Sequence, residues 1–348
     1  MDRGRRKGSD VTLPTDGQDV VAHAGGEPGA ATWIETVSGP RRAADIGIAD
    51  AHAHLWIAPR VPGAPALTDP ALALAELADF ALMGGSLVVD CQPGDCGRDG
   101  RVLARLARES PVAVVAATGF HLARYYPAGE GPWALGADAS RALFERELRA
   151  GLDEAPAVRA GVVKAAWTGD GSGLEQDLMR AALEAAHRAD AAVVIHTEAG
   201  TAVEGLVRLV EGSGLSPARV QLSHIDKRPD PALHRDLARA GYALGYDTFL
   251  RPKYDPERHV WPLLRAMIAD GLWPWVTLGL DLVDAASWHV RGGPGLRALS
   301  VDVLARLRRE GVGDTIARAL TGGNVARLLG RAGRVDEERG KEKGGDML

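Results

Sequence analysis

Between about residue 46 and residue 281, short and continuously apolar runs alternate with longer stretches whose apolar positions recur every three or four residues. The apolar runs predict eight strands: Gly47–Ala53, Ser86–Cys91, Val112–Thr118, Gly161–Lys164, Ala191–His196, Arg219–His224, Tyr242–Asp247 and Trp275–Asp281. Runs such as VAVVAATG and AAVVIHTE are apolar throughout rather than at alternate positions, as strands covered on both faces are. The stretches between them read as helices. In LEQDLMRAALEAAHRA, the residues Leu174, Leu178, Ala182 and Ala185 share one helical face. In DPALHRDLARAG, Asp230 caps, Pro231 opens the first turn and Gly241 stops the helix. Such alternation predicts a parallel α/β sheet, and the strand count favours one closed (β/α)8 TIM barrel over a doubly wound sheet. The barrel is expected to occupy residues 32–332. Residues 1–31 are polar, Gly-rich and aperiodic and read as a disordered arm, and residues 333–348 as a charged, disordered tail.

Composition narrows the class. The chain has 348 residues, is 46% hydrophobic and carries a formal net charge of −5. Its charges are interspersed and form no basic stripe, which speaks against a nucleic-acid partner. Cys91 and Cys96 are its only cysteines, too few for a disulfide framework or a zinc finger, and read as free thiols in a reducing compartment. The Arg-Arg pair near the start precedes no apolar signal core, and no run approaches the roughly 20 apolar residues of a membrane span. A cytoplasmic protein without a membrane partner is the expectation.

The candidate chemistry sits where the predicted strands end. His52 and His54 close the first, Lys164 the fourth, His196 the fifth, His224 the sixth and Asp281 the eighth. In a barrel those ends meet at one mouth, the C-terminal face, where catalytic groups are housed. Singly, His52 and His54 fit hydrogen-bonded core histidines, and His187 and His234 fit solvent or helix contacts. Lys164 and Asp281 are harder to place in apolar strands, because an unpaired buried charge is costly. Together the set reads as a metal site. Imidazole and carboxylate suit Zn2+, with Co2+ or Mn2+ as alternatives. His52 and His54, at i and i+2, share a strand face and can reach one ion; His196 and His224, from adjacent strands, can hold another. An ammonium cannot ligate, but a Lys164 amine that has captured CO2 becomes a carbamate with an oxygen for each of two ions, roughly 3.5–4 Å apart. Two dications against Asp281, the carbamate and a bridging hydroxide leave a small positive excess, which acidifies water and attracts a carbonyl or phosphoryl oxygen.

From about Thr32 to Gly330 the chain resembles the phosphotriesterase family of the amidohydrolase superfamily. The likeness rests on TVSGP, DAHAHLW, VVDCQPGDCGRD, AATGFHLARYYP, AGVVKAAWTG, VVIHTEAG, GLSPARVQLSHID, GYALGYDTF, VTLGLDL and GGNVARLLG. It implies a barrel hydrolase with a binuclear centre in which His52 and His54 hold the more buried ion, His196 and His224 the exposed one, and carbamylated Lys164 bridges. Asp281 would ligate the buried ion and take the proton of the attacking hydroxide. Members are often dimers, which makes a homodimer an expectation. Their substrates are small molecules: lactones, other carboxylic esters or organophosphate triesters.

Thr248 follows Asp247 where triesterases of the family carry a proton-relaying histidine, which disfavours organophosphates, and the TGFH and YDPE stretches resemble the phosphotriesterase-homology and phosphotriesterase-related branches. His121, Tyr125, Arg251, Lys253 and His289 are the mouth residues expected to meet substrate, with Arg251 or Lys253 recognising an anionic substituent. The rival readings are a true triesterase and a catalytically silent metal-binding barrel. Mononuclear deaminases and metal-dependent DNases also open with HxH, but Lys164 separates this chain from both.

Overall fold

The computed structural model describes residues 32–332. The arm, the tail and His23 lie outside the described residues. All eight expected strands form: β3 (Ile48–Ala53), β4 (Gly85–Asp90), β5 (Ala113–Gly119), β6 (Val162–Trp167), β7 (Ala192–Thr197), β8 (Val220–Ser223), β9 (Ala243–Tyr246) and β10 (Val276–Leu278). They pair in parallel, in chain order, as one eight-stranded sheet. Its two edges are brought together where Asp281 N donates to His52 O at 2.8 Å and Leu280 N to the Asp50 carboxylate at 3.3 Å. A Cβ on Gly279 would lie 2.9 Å from His52 N, so the bare backbone of glycine is what lets this seam close. The fold is an α/β barrel.

Helices connect the strands with the chemistry expected of their ends. Asp230 accepts from the amides of Ala232 and Leu233, Pro231 opens the helix Pro231–Arg239, and Gly241 follows it with φ +95°. In the helix Gly173–Arg188, Leu178, Ala182 and Ala185 are fully buried, whereas Leu174 at its start is 41% exposed.

Side chains along each strand alternate between two apolar clusters. Ala49, Ala51, Leu87, Val89, Val115, Ala117, Val162, Val194 and Ala243 fill the barrel interior. Val88, Val114, Val163, Val193, Leu222 and Leu244 face the helices. The inward residues are small, as a filled barrel of this size requires.

A second sheet, of three strands, accompanies the eight expected ones. β1 (Thr32–Thr36) and β2 (Gly39–Arg42) form a hairpin, and β11 (Arg331–Ala332) adds to β1 antiparallel. With Val325, Leu328 and Leu329, Ile34 of this hairpin packs into the interior cluster and seals the end where the barrel strands begin.

Candidate metal centre

Five strands deliver the chemistry to the opposite end. On β3 the interior parity runs through Ala49 and Ala51, yet His52 and His54 also point into the site. The ladder to β4 shifts register between Asp50 and Ala53, and a shift of one residue turns every later side chain to the other face. The Asp90 carboxylate then accepts from Leu55 N at 2.8 Å and holds the chain beyond His54.

Lys164 does not end its strand, as the sequence reading had it. β6 continues through Ala165, Ala166 and Trp167, which pair with Ile195, His196 and Thr197. Lys164 therefore lies inside the barrel with no exposed surface. Its carbonyl accepts from Phe120 N at 2.9 Å, and a Cβ on Gly119, whose φ is +105°, would overlap that oxygen. His224 and Asp281 lie past the ends of β8 and β10 and turn inward through left-handed backbone, φ 61° and 49°.

The six side chains converge. Lys164 Nζ is 3.2 Å from His52 Nε2. Asp281 Oδ1 is 3.6 Å from His52 Nε2 and 3.5 Å from His54 Nε2. The ligand atoms of His52, His224 and Asp281 lie within 4.8 Å of one another, and the rings of His196 and His224 are 4.7 Å apart. Burial, with the nearby Lys164, pushes His52 well below the usual histidine range, and burial also lowers His224 and His196. Each is thereby kept neutral, the form that ligates a metal. Burial alone would raise Asp281, but His224, His52, His54 and Arg251 hold it well below the usual carboxylate range.

Two carboxylates outside the expected set orient the histidines. Asp247 sits 2.7 Å from His224 Nδ1 and accepts from His224 N at 3.2 Å. Glu198 sits 2.9 Å from His196 Nε2, and that contact draws Glu198 down to about 2. His224 thus has Nε2 free for a ligand and His196 has Nδ1, each fixed by a carboxylate on the other nitrogen, as metal-binding histidines usually are. A carboxylate within the apolar run GYALGYDT was the sequence signal for Asp247.

The donor set fits divalent ions. His54 Nδ1 is buried without a hydrogen-bond partner, and His52 Nδ1 lies 3.4 Å from Asp247 Oδ2. Four imidazoles and Asp281 surround Lys164, which has no ion pair among the described residues. Nitrogen and carboxylate donors of this kind suit zinc and its neighbours, and the nearby thiol of Cys91 is pushed up to about 12 by burial.

The site opens into a cavity of about 240 Å3. His121, Tyr125, Arg251 and Lys253 line it, as expected; Arg124, Lys227 and Tyr254 line it too and were not foreseen. The ammonium groups of Lys227 and Lys253 lie 5.2 and 4.8 Å from the Tyr254 ring centre. His289 does not join them: it lies outside this cavity, 2.9 Å from Arg297 Nη1. Arg251 is at the mouth but its guanidinium is engaged with Asp281. Thr248 donates to Asp226 at 2.6 Å, and burial with the charge of Asp247 pushes Asp226 up to about 7.

One end of a parallel barrel thus gathers four histidines, an aspartate and a buried lysine. The chain belongs to the phosphotriesterase family, whose model matches residues 32–329. It is 29% identical over 274 residues to a phospho-furanose lactonase of Mycoplasmopsis synoviae, covering 72% of this chain and 76% of that protein. It is 26% identical over 329 residues to the phosphotriesterase homology protein of Mycobacterium tuberculosis, covering 86% and 98%. A solved lactonase from Listeria monocytogenes shares the fold with a TM-score of 0.80 at 22% identity, over 87% of this chain and 100% of that one. No described helix is long and apolar enough to cross a membrane.

Proposed function

We propose that this protein is a binuclear metal-dependent lactonase whose substrate is a small lactone or related ester carrying an anionic substituent such as phosphate. The observation that carries the proposal is the buried ligand set opening onto a mouth rimmed by Arg124, Lys227 and Lys253. The relatives named phospho-furanose lactonases support the same substrate class. Thr248, in place of a relaying histidine, favours a carbonyl over a phosphotriester centre.

His52, His54 and Asp281 would hold one ion, His196 and His224 the other, with carbamylated Lys164 between them. Bound divalent ions supply a water acidic enough to ionise near neutrality and a Lewis acid for the carbonyl oxygen. The chain's own groups do the rest. Asp281, kept anionic by its surroundings, accepts the proton of the attacking water. His121 Nδ1 accepts from Leu122 N at 2.8 Å, so the ring's proton sits on Nε2. Burial and the neighbouring His196 keep this ring neutral, a fixed donor for a substrate oxygen. Arg124, Lys227 and Lys253 bind the anionic substituent, against the opposing charges of Asp281 and of Glu198, which lies 3.9 Å from Arg124. Partly exposed cations of this kind contribute a few tenths to about 1 kcal/mol each, which together make a preference of roughly tenfold or more.

The test is turnover by protein loaded with zinc in bicarbonate, on five-membered lactones with and without a phosphate group. The phosphorylated lactone should show the higher kcat/KM, and Asp281→Asn should keep its zinc and lose turnover. Faster hydrolysis of paraoxon-like triesters than of any lactone would favour the triesterase reading. Full zinc loading with no turnover on any of these compounds would mark a silent barrel.

A further inference from the structure

A cavity larger than that of the metal centre lies at the opposite end of the barrel. Its volume is about 590 Å3, and it sits against the start of β3 and the turn before β4. Ile46, Ile48, Met83, Val301, Leu304 and Ala319 give it apolar walls. Two helical segments close it, and each presents a π-helical stretch there, Leu299–Leu304 in the first and Ala319–Gly323 in the second. Such stretches are rare and recur at functional sites. The second is pressed onto the strand: a Cβ on Gly322 would overlap the main-chain oxygen of Gly47, so only glycine permits this approach.

The polar groups of this lining are few and incompletely satisfied. Thr321 is accounted for, because its hydroxyl donates to Ala317 O at 2.9 Å. The hydroxyl of Ser300 is buried with no hydrogen-bond partner, a state that native proteins rarely leave without a use. The charged residues of the lining are Arg308 and Arg318, whose side chains are 51% and 67% exposed and so stand at the rim. Both lean on one carboxylate, Asp314, at 3.2 and 3.6 Å, and two cations thus share a single counter-charge. No carboxylate among the described residues lines the cavity.

We infer that this cavity binds a medium-chain aliphatic carboxylate, with its chain along the apolar walls and its head on Arg308, Arg318 and the Ser300 hydroxyl. Apolar walls with a few convergent polar groups are what a small-molecule site presents, and a rim of net positive charge selects an anion. Guanidinium groups match the planar carboxylate. A second copy of the chain is the poorer occupant, because a two-fold interface would turn the same arginines toward one another. The inference is independent of the reaction proposed above, since the metal centre lies at the other end of the barrel.

The test is calorimetric titration of the full-length protein, zinc-loaded and again after chelation, with hexanoate, octanoate and decanoate. One molecule per chain should bind in both states, and each added methylene should tighten binding roughly two- to fourfold as it leaves water. Octylammonium should not bind. Arg308→Gln combined with Arg318→Gln, both at exposed positions, should weaken decanoate binding roughly three- to thirtyfold. Val301→Glu, which sets a carboxylate in a wall that is 41% exposed, should abolish it. The inference is overturned if no saturable binding is seen, if affinity does not rise with chain length, or if neither variant changes it. Loss of binding on Arg124→Gln with Lys227→Gln instead would place the carboxylate at the catalytic mouth and overturn it equally. A wild-type dimer that Val301→Glu turns into a monomer, with decanoate bound by neither, would assign the surface to a second copy.

Discussion

Lys164→Met separates what Lys164 does for the fold from what it does for the site. Lys164 has no exposed surface, its Nζ lies 3.2 Å from His52 Nε2, and no ion pair offsets its charge among the described residues. An unmodified ammonium there is a buried charge with no carboxylate in ion-pair contact among the described residues, and even buried ion pairs, exchanged for apolar groups of similar volume, leave proteins up to about 1–4 kcal/mol more stable. Methionine has nearly the length and volume of lysine and fills the same space. The hydrogen bond lost with His52 costs about 0.5–1.5 kcal/mol, so the metal-free variant should come out at least as stable as the wild type, by up to roughly 3 kcal/mol. In zinc and bicarbonate the order should reverse. A ligand at a thousand times its Kd stabilises the native state by about 4 kcal/mol, and the variant has lost the bridging group through which both ions would be held. Urea denaturation of both proteins, with chelator and then with zinc and bicarbonate, measures this crossing. A metal-free variant several kcal/mol less stable than the wild type would make Lys164 a structural residue. Equal stabilisation of both proteins by zinc and bicarbonate would refute its role as a ligand.

Other consequences are open to direct measurement. Asp247→Asn keeps the size of a side chain that bonds His224 at 2.7 Å but removes its charge, and zinc affinity should fall about 10–100-fold with little change in metal-free stability. An unaltered zinc affinity would remove Asp247 from the site's support. His234 is buried between Tyr246 OH and Arg228 O, and burial lowers it from 6.5 to about 4. The unfolded chain therefore binds a proton at His234 that the native state refuses between these values. Stability from this group is complete above about pH 6.5 and falls as pH drops toward 4, by up to about 3 kcal/mol. His234→Gln should flatten the metal-free stability profile across that window, and a profile as steep as the wild type's would show that other groups set it.

The strand positions were legible because strands buried on both faces leave unbroken apolar runs, and each predicted strand falls within a few residues of its counterpart. The site was legible for a related reason: a histidine, lysine or aspartate closing such a run has no place in a core. Where the reading stopped at a charge it misjudged the backbone. The charge of Lys164 marks an end to the fourth apolar run, but pairing with β7 carries the strand three residues further. The re-aiming of His52 and His54 depends on a register shift against β4, which no local pattern displays. The terminal sheet was missed because Trp33 pairs with Arg331, a contact set by closure of the whole barrel.

The binuclear centre is most directly tested by counting zinc ions per chain in protein reconstituted with and without bicarbonate. The ligand set described here predicts two ions per chain in bicarbonate and fewer when CO2 is excluded. A count of one or none in both conditions would contradict it.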